Sequence, residues 1–185
     1  MMMKIDFQEL VNINPDNCSV EEYLYIADLI HDFSPGNVLV FGTGYDSPYW
    51  IKLNDGGHTY FLEDNHEWIN YTKNERPDAN IITVNYHTQR KHWRKLIDQP
   101  DKLWMNLPDY IVKTNWDLIF IDAPRGSNRK TPGRMQSIYS ASQLSYKHIL
   151  VHDCNRRVER VYFNNLIGEP DHIIGKLFHK TKPNP

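Results

Sequence analysis

Asn37-Val-Leu-Val-Phe-Gly-Thr-Gly-Tyr-Asp-Ser-Pro-Tyr-Trp50 is the stretch whose reading decides the fold. Val38 to Phe41 is a short apolar run rich in branched residues, as expected of a parallel strand buried on both faces. Gly42 and Gly44 let the backbone turn sharply and bring its amides close to a ligand with no Cβ in the way. Ser47 followed by Pro48 reads as a helix start, with the hydroxyl at the N-cap and the ring pre-set to helical φ. Strand, Gly-x-Gly turn and helix N-terminus together form the cofactor corner of an open α/β sheet.

Many tight turns carry Gly-x-Gly, so the next acid matters. Glu63 and Asp64 close a second apolar run, Thr59-Tyr-Phe-Leu62, about twenty residues beyond the glycines, where a carboxylate can accept both hydroxyls of a ribose. The third glycine of the dinucleotide fingerprint is missing, since Tyr45, Asp46, Ser47 and Pro48 follow Gly44. An acid at position 46 would repel a pyrophosphate at that helix start. A cofactor with a ribose and a cationic amine fits better, which favours S-adenosylmethionine over NAD. The expected cofactor contacts are Phe41, Gly42, Gly44, Asp46, Ser47, Glu63 and Asp64.

Working outward, residues 1–18 read as an approach segment with a turn at Asn14-Pro15-Asp16-Asn17. Ser19-Val-Glu-Glu22 is a capping box that opens a helix through about Phe33. Downstream, Asn65 to Glu75 is helical and Asn80 to Asn85 is a third strand. Thr88 to Asp98 has the pattern of a basic amphipathic helix, and Pro100 to Thr114 is irregular with some helix. Trp116-Asp-Leu-Ile-Phe-Ile-Asp122 is the strongest strand signal in the chain. Pro132-Gly-Arg-Met135 leads into a helix through about Tyr146, and His148 to Val151 is a fifth strand. Arg156 to Ile167 is a helix, and Asp171 to Thr181 a closing strand or hairpin. Strands alternating with helices predict an α/β fold, a mostly parallel, doubly wound sheet flanked by helices, in one minimal domain over residues 1–185.

Composition bounds the partners. Hydrophobic content of 40% and charged content of 24% are ordinary for a soluble globular chain. A formal net charge of −2 gives no general pull toward nucleic acid or anionic membrane. Basic clusters do occur at Arg90 to Lys95, Arg125 to Arg134 and Arg156 to Arg160, and the first and third read as solvated helix faces. Two cysteines, Cys18 and Cys154, are too few for a disulfide framework. With no apolar run of signal or membrane-span length, a soluble, cytoplasmic protein is expected.

Polar groups collect where the strands end: Gly42 and Gly44 after the first, Glu63 after the second, Asn85 after the third, Asp122 after the fourth, His152 and Asp153 after the fifth. Ligands of such sheets lie there, at the switch in strand order. Several of these stretches resemble the glucuronoxylan 4-O-methyltransferase family. They are Leu39-Val-Phe-Gly-Thr-Gly-Tyr-Asp-Ser47 with Trp50, Leu53-Asn-Asp-Gly-Gly-His-Thr-Tyr-Phe-Leu-Glu63 with Trp68, and Trp116-Asp-Leu-Ile-Phe-Ile-Asp-Ala-Pro-Arg-Gly126. Pro132-Gly-Arg-Met135 with Ile138 and Tyr139, and Val151-His-Asp153 with Arg156 and Glu159, continue it in the same order. The resemblance implies a Rossmann-like class I methyltransferase that uses S-adenosylmethionine to methylate a sugar hydroxyl of a glycan. It further implies divalent-cation dependence and, in plant members, xylan or arabinogalactan acceptors and a Golgi anchor. This chain is shorter, shows no anchor run, and carries Thr43, Tyr45 and Pro48 where the first motif typically has Leu, His and Leu.

A sugar hydroxyl is barely ionised near neutral pH, so it must be held in line and its proton removed or redirected. Asp122, His152 and Asp153 are the candidate catalytic groups. Either His152 is the base while Asp122 and Asp153 hold a divalent cation, or Asp122 is the base with no metal. Arg125 and Arg134 are candidates to grip a uronate carboxylate, with a loop-anchoring role for Arg125 equally open. Trp50 and Trp68 are expected in the core. The competing readings are a transferase for another small hydroxyl compound, such as rhamnose or a natural-product sugar, and a cofactor-binding module that methylates nothing.

Overall fold

Val38 to Phe41 are all buried, and this two-sided burial places β1 (Asn37–Phe41) in the middle of a seven-stranded sheet. The computed structural model describes residues 6–182. The other strands are β2 (His58–Glu63), β3 (Asn80–Thr83), β4 (Asn115–Ile121), β5 (Ser145–Val151), β6 (His172–Ile174) and β7 (Leu177–Thr181). Their order is β3-β2-β1-β4-β5-β7-β6, with β1 to β5 parallel and β7 antiparallel to both β5 and β6. After β1 the chain winds outward through β2 and β3, then crosses back to β4. The switch point therefore lies between the carboxyl ends of β1 and β4.

Alternate residues of the central strands feed two cores. Leu39, Phe41, Ile119, Ile121, Ile149 and Val151 pack with α7 (Met135–Ser142) and α8 (Arg157–Leu166). Val38, Val40, Leu118, Phe120 and Leu150 pack with Trp50 of α3 (Ser47–Leu53) and with α1 (Phe7–Ile13) and α2 (Val20–Phe33). Trp50 is fully buried, as expected; Trp68 of α4 (His66–Glu75) is only partly so, edge-on to Tyr45 and Tyr71.

Three local expectations are corrected and a fourth, the closing strand or hairpin, is resolved as the hairpin. The approach segment contains α1, capped by Asp6 and anchored by buried Phe7 and Leu10, a two-residue apolar signal too short to stand out; residues 1–5 lie outside the described residues. The helix expected over 88–98 shrinks to a 3₁₀ turn at Arg90–His92 and α5 (Trp93–Leu96). Tertiary partners take its backbone donors: Arg90 N donates to Thr131 O and Lys91 N to Arg129 O, at 2.8 and 3.0 Å. α7 stops at Ser142 rather than Tyr146, because Ser145 and Tyr146 already pair with Asn115 and Trp116 in the sheet. The segment over 171–181 resolves into an antiparallel hairpin. Among the described residues no helix is long and apolar enough to cross a membrane.

The capping box is present as read: Ser19 Oγ accepts from Glu22 N at 3.2 Å, and Glu22 Oε2 accepts from Ser19 N at 2.7 Å. Ser19→Ala is expected to cost about 1 kcal/mol, measured by urea unfolding; an unchanged midpoint would mean that the cap contributes nothing.

Candidate active site

The corner after β1 is built by sterics and one carboxylate. Gly42 has φ +110° and donates to Leu62 O at 2.8 Å. A Cβ there would lie 2.9 Å from Ala123 Cβ, so only glycine lets β1 and β4 close together. Glu63 ties the loop beyond β1 to the loop beyond β2. Its Oε2 accepts from Thr43 N and Oγ1 at 2.7 and 3.1 Å, and its Oε1 from Asp64 N and Asn65 N at 2.9 and 2.8 Å. The carboxylate expected on a ribose is thus buried and occupied, whereas Asp64 beside it is exposed.

Two further expectations change here. Ser47 is the first helical residue rather than the cap; its hydroxyl accepts from Gly44 N at 2.9 Å and closes the turn. Phe41 turns its ring into the core, fully buried, so its ring does not face a ligand. Asp46, at the N-cap position without a side-chain cap bond, is buried beneath Gly44. Burial first, and the charge of Asp122 second, push its carboxyl up to about 7.

Beside this corner lies a charge network. The β4–β5 register pairs Ile121 with Val151, which sets Asp122 next to His152. His152 Nδ1 is 2.9 Å from Asp122 Oδ1, and Glu22 Oε2 of α2 lies 3.6 Å from the opposite nitrogen. Arg134, at the start of α7, donates to His152 O (2.6 Å), to Asp122 O (2.7 Å) and to Asp122 Oδ1 (2.8 Å), and pairs with Asp153 Oδ2 (2.7 Å). Arg156 adds a second cation on Asp153 Oδ2 at 2.9 Å. Asp153 sits at φ 62°, a backbone strain for a non-glycine residue that its two guanidinium partners hold in place.

The charge states follow from these neighbours. Burial would lower the His152 imidazolium, but Asp122 foremost, with Cys18 and Glu22, outweighs it and holds the group up to about 12. Burial would raise Asp122, but the charges of Arg134 and His152 hold it down to about 2. Flanked by Asp122 at 2.9 Å and Glu22 at 3.6 Å, the buried His152 ring is held toward its charged form, which disfavours it as a free base. Asp122 is an ionised carboxylate whose side chain keeps 17% of its surface open.

The remaining candidates separate. Arg134 is buried and faces inward, so it is not turned toward an acceptor carboxylate; Arg125 is exposed and its carbonyl accepts from Gly133 N at 3.0 Å. Asp122 and Asp153 do converge, but on the Arg134 guanidinium, which fills the place expected for a divalent cation. Cys18, Asp122 and His152 also bring donor atoms within 4.8 Å of one another. Burial pushes the Cys18 thiol up to about 12 and Asp122 holds His152 toward its charged form, so a metal there would have to displace both protons, and thiolate and imidazole are soft or borderline donors. Neither set fits a hard divalent ion, which takes deprotonated oxygen donors and is repelled by adjacent fixed cations.

Glu22 and Cys18, which lie against His152 and Asp122, were not singled out as site residues from the sequence. The Ser19–Glu22 box was legible, but a cap residue's second contact across the fold is not.

A family model described as IRX15/IRX15L/GXM matches residues 21–106 and 102–174. Arabinogalactan O-methyltransferase 2 of Arabidopsis thaliana is 32% identical over 90% of this chain and 67% of its own length. Glucuronoxylan 4-O-methyltransferase 3 of the same plant is 34% identical over 82% of this chain and 59% of its own length. Protein IRX15-LIKE, also from that plant, is 32% identical over 90% and 63%. The chain thus spans roughly three-fifths to two-thirds of the lengths of these relatives. Among solved structures, a TehB-like SAM-dependent methyltransferase from Corynebacterium glutamicum superposes with TM-score 0.55 at 14% identity, covering 95% of each chain. A putative caffeoyl-CoA O-methyltransferase from Staphylococcus aureus gives TM-score 0.52 at 18% identity, over 94% of this chain and 88% of its own. These structural likenesses establish the Rossmann-like methyltransferase fold.

Proposed function

The chain belongs to the IRX15/IRX15L/GXM family, and on that premise we propose that it is an S-adenosylmethionine-dependent O-methyltransferase acting on a sugar hydroxyl of a glycan. The observation that carries the reading is Asp122. It is the ionised, partly open carboxylate at the switch point, fixed by His152 and Arg134 on one side and adjoining the Gly42 turn on the other. The relatives named for arabinogalactan and glucuronoxylan support a polysaccharide acceptor.

The cofactor, when bound, supplies a methyl group on a sulfonium, a good leaving group. The Gly42–Asp46 turn would hold its amino-acid end and Asp64 its ribose, while Glu63 keeps the two loops in register. The acceptor hydroxyl lies on Asp122, beside the loop from Arg125 to Arg134. A hydroxyl oxygen that accepts a methyl group would lose electron density, and its proton would become strongly acidic. A carboxylate held down to about 2 then suffices to take it and pass it to water. His152 and Arg134 act as positioning residues: they keep Asp122 ionised and aimed, and their charges offset its desolvation.

Asp46 gives this reading a pH signature. Its carboxyl, raised to about 7, is largely protonated below neutrality in the free protein, and a cationic ligand over Gly44 favours the anion. Cofactor binding is therefore expected to release protons near pH 7 and to tighten as pH rises through that value. Calorimetry in two buffers of different ionisation enthalpy measures this; proton uptake, or release that persists in Asp46→Asn, would overturn the placement.

The second reading is a binding module without transfer. It is favoured by matched relatives whose names carry no activity, Protein IRX15-LIKE among them. Methyl transfer from labelled cofactor to a glycan separates the two.

A further inference from the structure

The basic clusters around residues 90 and 156 meet in space. Arg90, Lys91, Arg94, Arg129 and Arg157 line a groove of about 320 Å³ with Trp93 among them, at the lower end of ligand-site volumes. No carboxylate is among its lining residues, and none of the five cations forms an ion pair with a described carboxylate. Arg90 Nε is buried with no hydrogen-bond partner. The Arg94 and Arg157 guanidinium carbons stand 4.4 and 5.7 Å from the Trp93 ring centroid, so two of the cations are packed on an indole.

The fold holds these charges together rather than letting them spread. Arg90 and Lys91 are pinned by backbone hydrogen bonds to Thr131 and Arg129, and Tyr162 Oη of α8 donates to Trp93 O at 2.8 Å. Buried Glu159 offsets part of the Arg90 charge, but Lys91, Arg94, Arg129 and Arg157 still repel one another around one concavity and raise the local concentration of an entering anion. The loop that forms one wall, 125–134, is the same loop that borders Asp122. With a formal net charge of only −2 on the whole chain, this is a local device.

We propose that this groove binds the acidic groups of a polyanionic polysaccharide, anchoring the polymer while one of its hydroxyls sits at Asp122. The placement beside Asp122 rests on the transferase reading above; the groove's preference for a polyuronate does not require methyl transfer. A nucleic acid is the less fitting polyanion, because the one aromatic platform is already flanked by guanidinium groups instead of being open to stacked bases.

The test is affinity electrophoresis of the full chain, with S-adenosylhomocysteine present, in gels containing polygalacturonate, neutral dextran or single-stranded DNA. Polygalacturonate is expected to retard the protein in a salt-dependent way and dextran to leave it unretarded. The Arg94→Glu/Arg157→Glu pair, and separately Arg129→Glu on the exposed loop, are expected to weaken retardation on the order of tenfold. Cofactor-product affinity should be unchanged in both, and a carboxylate at position 157 suits a helix start. Equal retardation by dextran, wild-type binding in the variants, or tighter binding of DNA than of polygalacturonate would overturn the proposal. Failure of the wild-type chain to bind S-adenosylhomocysteine would count against the transferase reading alone, since polymer retardation is read independently.

Discussion

Asp122→Asn is expected to lower kcat by about a thousandfold, within the usual range for losing a positioned base. The amide keeps the shape of the carboxylate but loses the charge that accepts the hydroxyl proton. Affinity for S-adenosylhomocysteine should stay within a few-fold of wild type, because the cofactor contacts proposed above are on the Gly42–Asp46 turn and Asp64 rather than on Asp122. The pH profile distinguishes this account from one with His152 as base. A base held down to about 2 leaves kcat flat across the neutral range, whereas a free imidazole would give a limb near its ordinary value of 6.5. A kcat loss below tenfold, or a limb near neutrality that vanishes in His152→Gln, would return the base to His152.

Arg134→Ala should unfold the site rather than weaken acceptor binding. The guanidinium bridges Asp122 and Asp153, and it also satisfies two backbone carbonyls, all in buried surroundings. Removing it leaves two carboxylates without their shared cation, a loss expected to cost about 3–5 kcal/mol in denaturant unfolding. Arg134→Lys should fall in between, because a single ammonium cannot span both acids and both carbonyls. A stability loss under about 1 kcal/mol, together with a raised KM for the acceptor, would instead match an arginine that grips the sugar.

The sheet was legible because its signals are local. Branched runs such as Val38 to Phe41 and Leu118 to Ile121 are long enough to be read by pattern, and glycine at position 42 announces its own backbone. Which residues gather at the carboxyl ends followed from that topology, so Asp122, His152 and Asp153 were found together as expected. Their charge relations were not legible. Whether His152 carries a proton depends on Glu22, which is distant in sequence, and whether Asp122 and Asp153 hold a metal or an arginine depends on where the Gly133 turn sends Arg134. The helix read over 88–98 failed for the same reason. Its amphipathic pattern was real, but the carbonyls of the 129–131 loop outcompeted the helix for its amides. The charged residues of that segment then became one wall of a groove instead of a solvated face.

The most direct measurement is transfer of an isotopically labelled methyl group from S-adenosylmethionine to a panel of uronate-bearing and neutral polysaccharides, followed by base hydrolysis and analysis of the sugars. The account predicts label in a base-stable methyl ether on a sugar hydroxyl, lost with Asp122→Asn. Label released by base as a methyl ester, or no transfer to any glycan by a protein that binds S-adenosylhomocysteine, would contradict it.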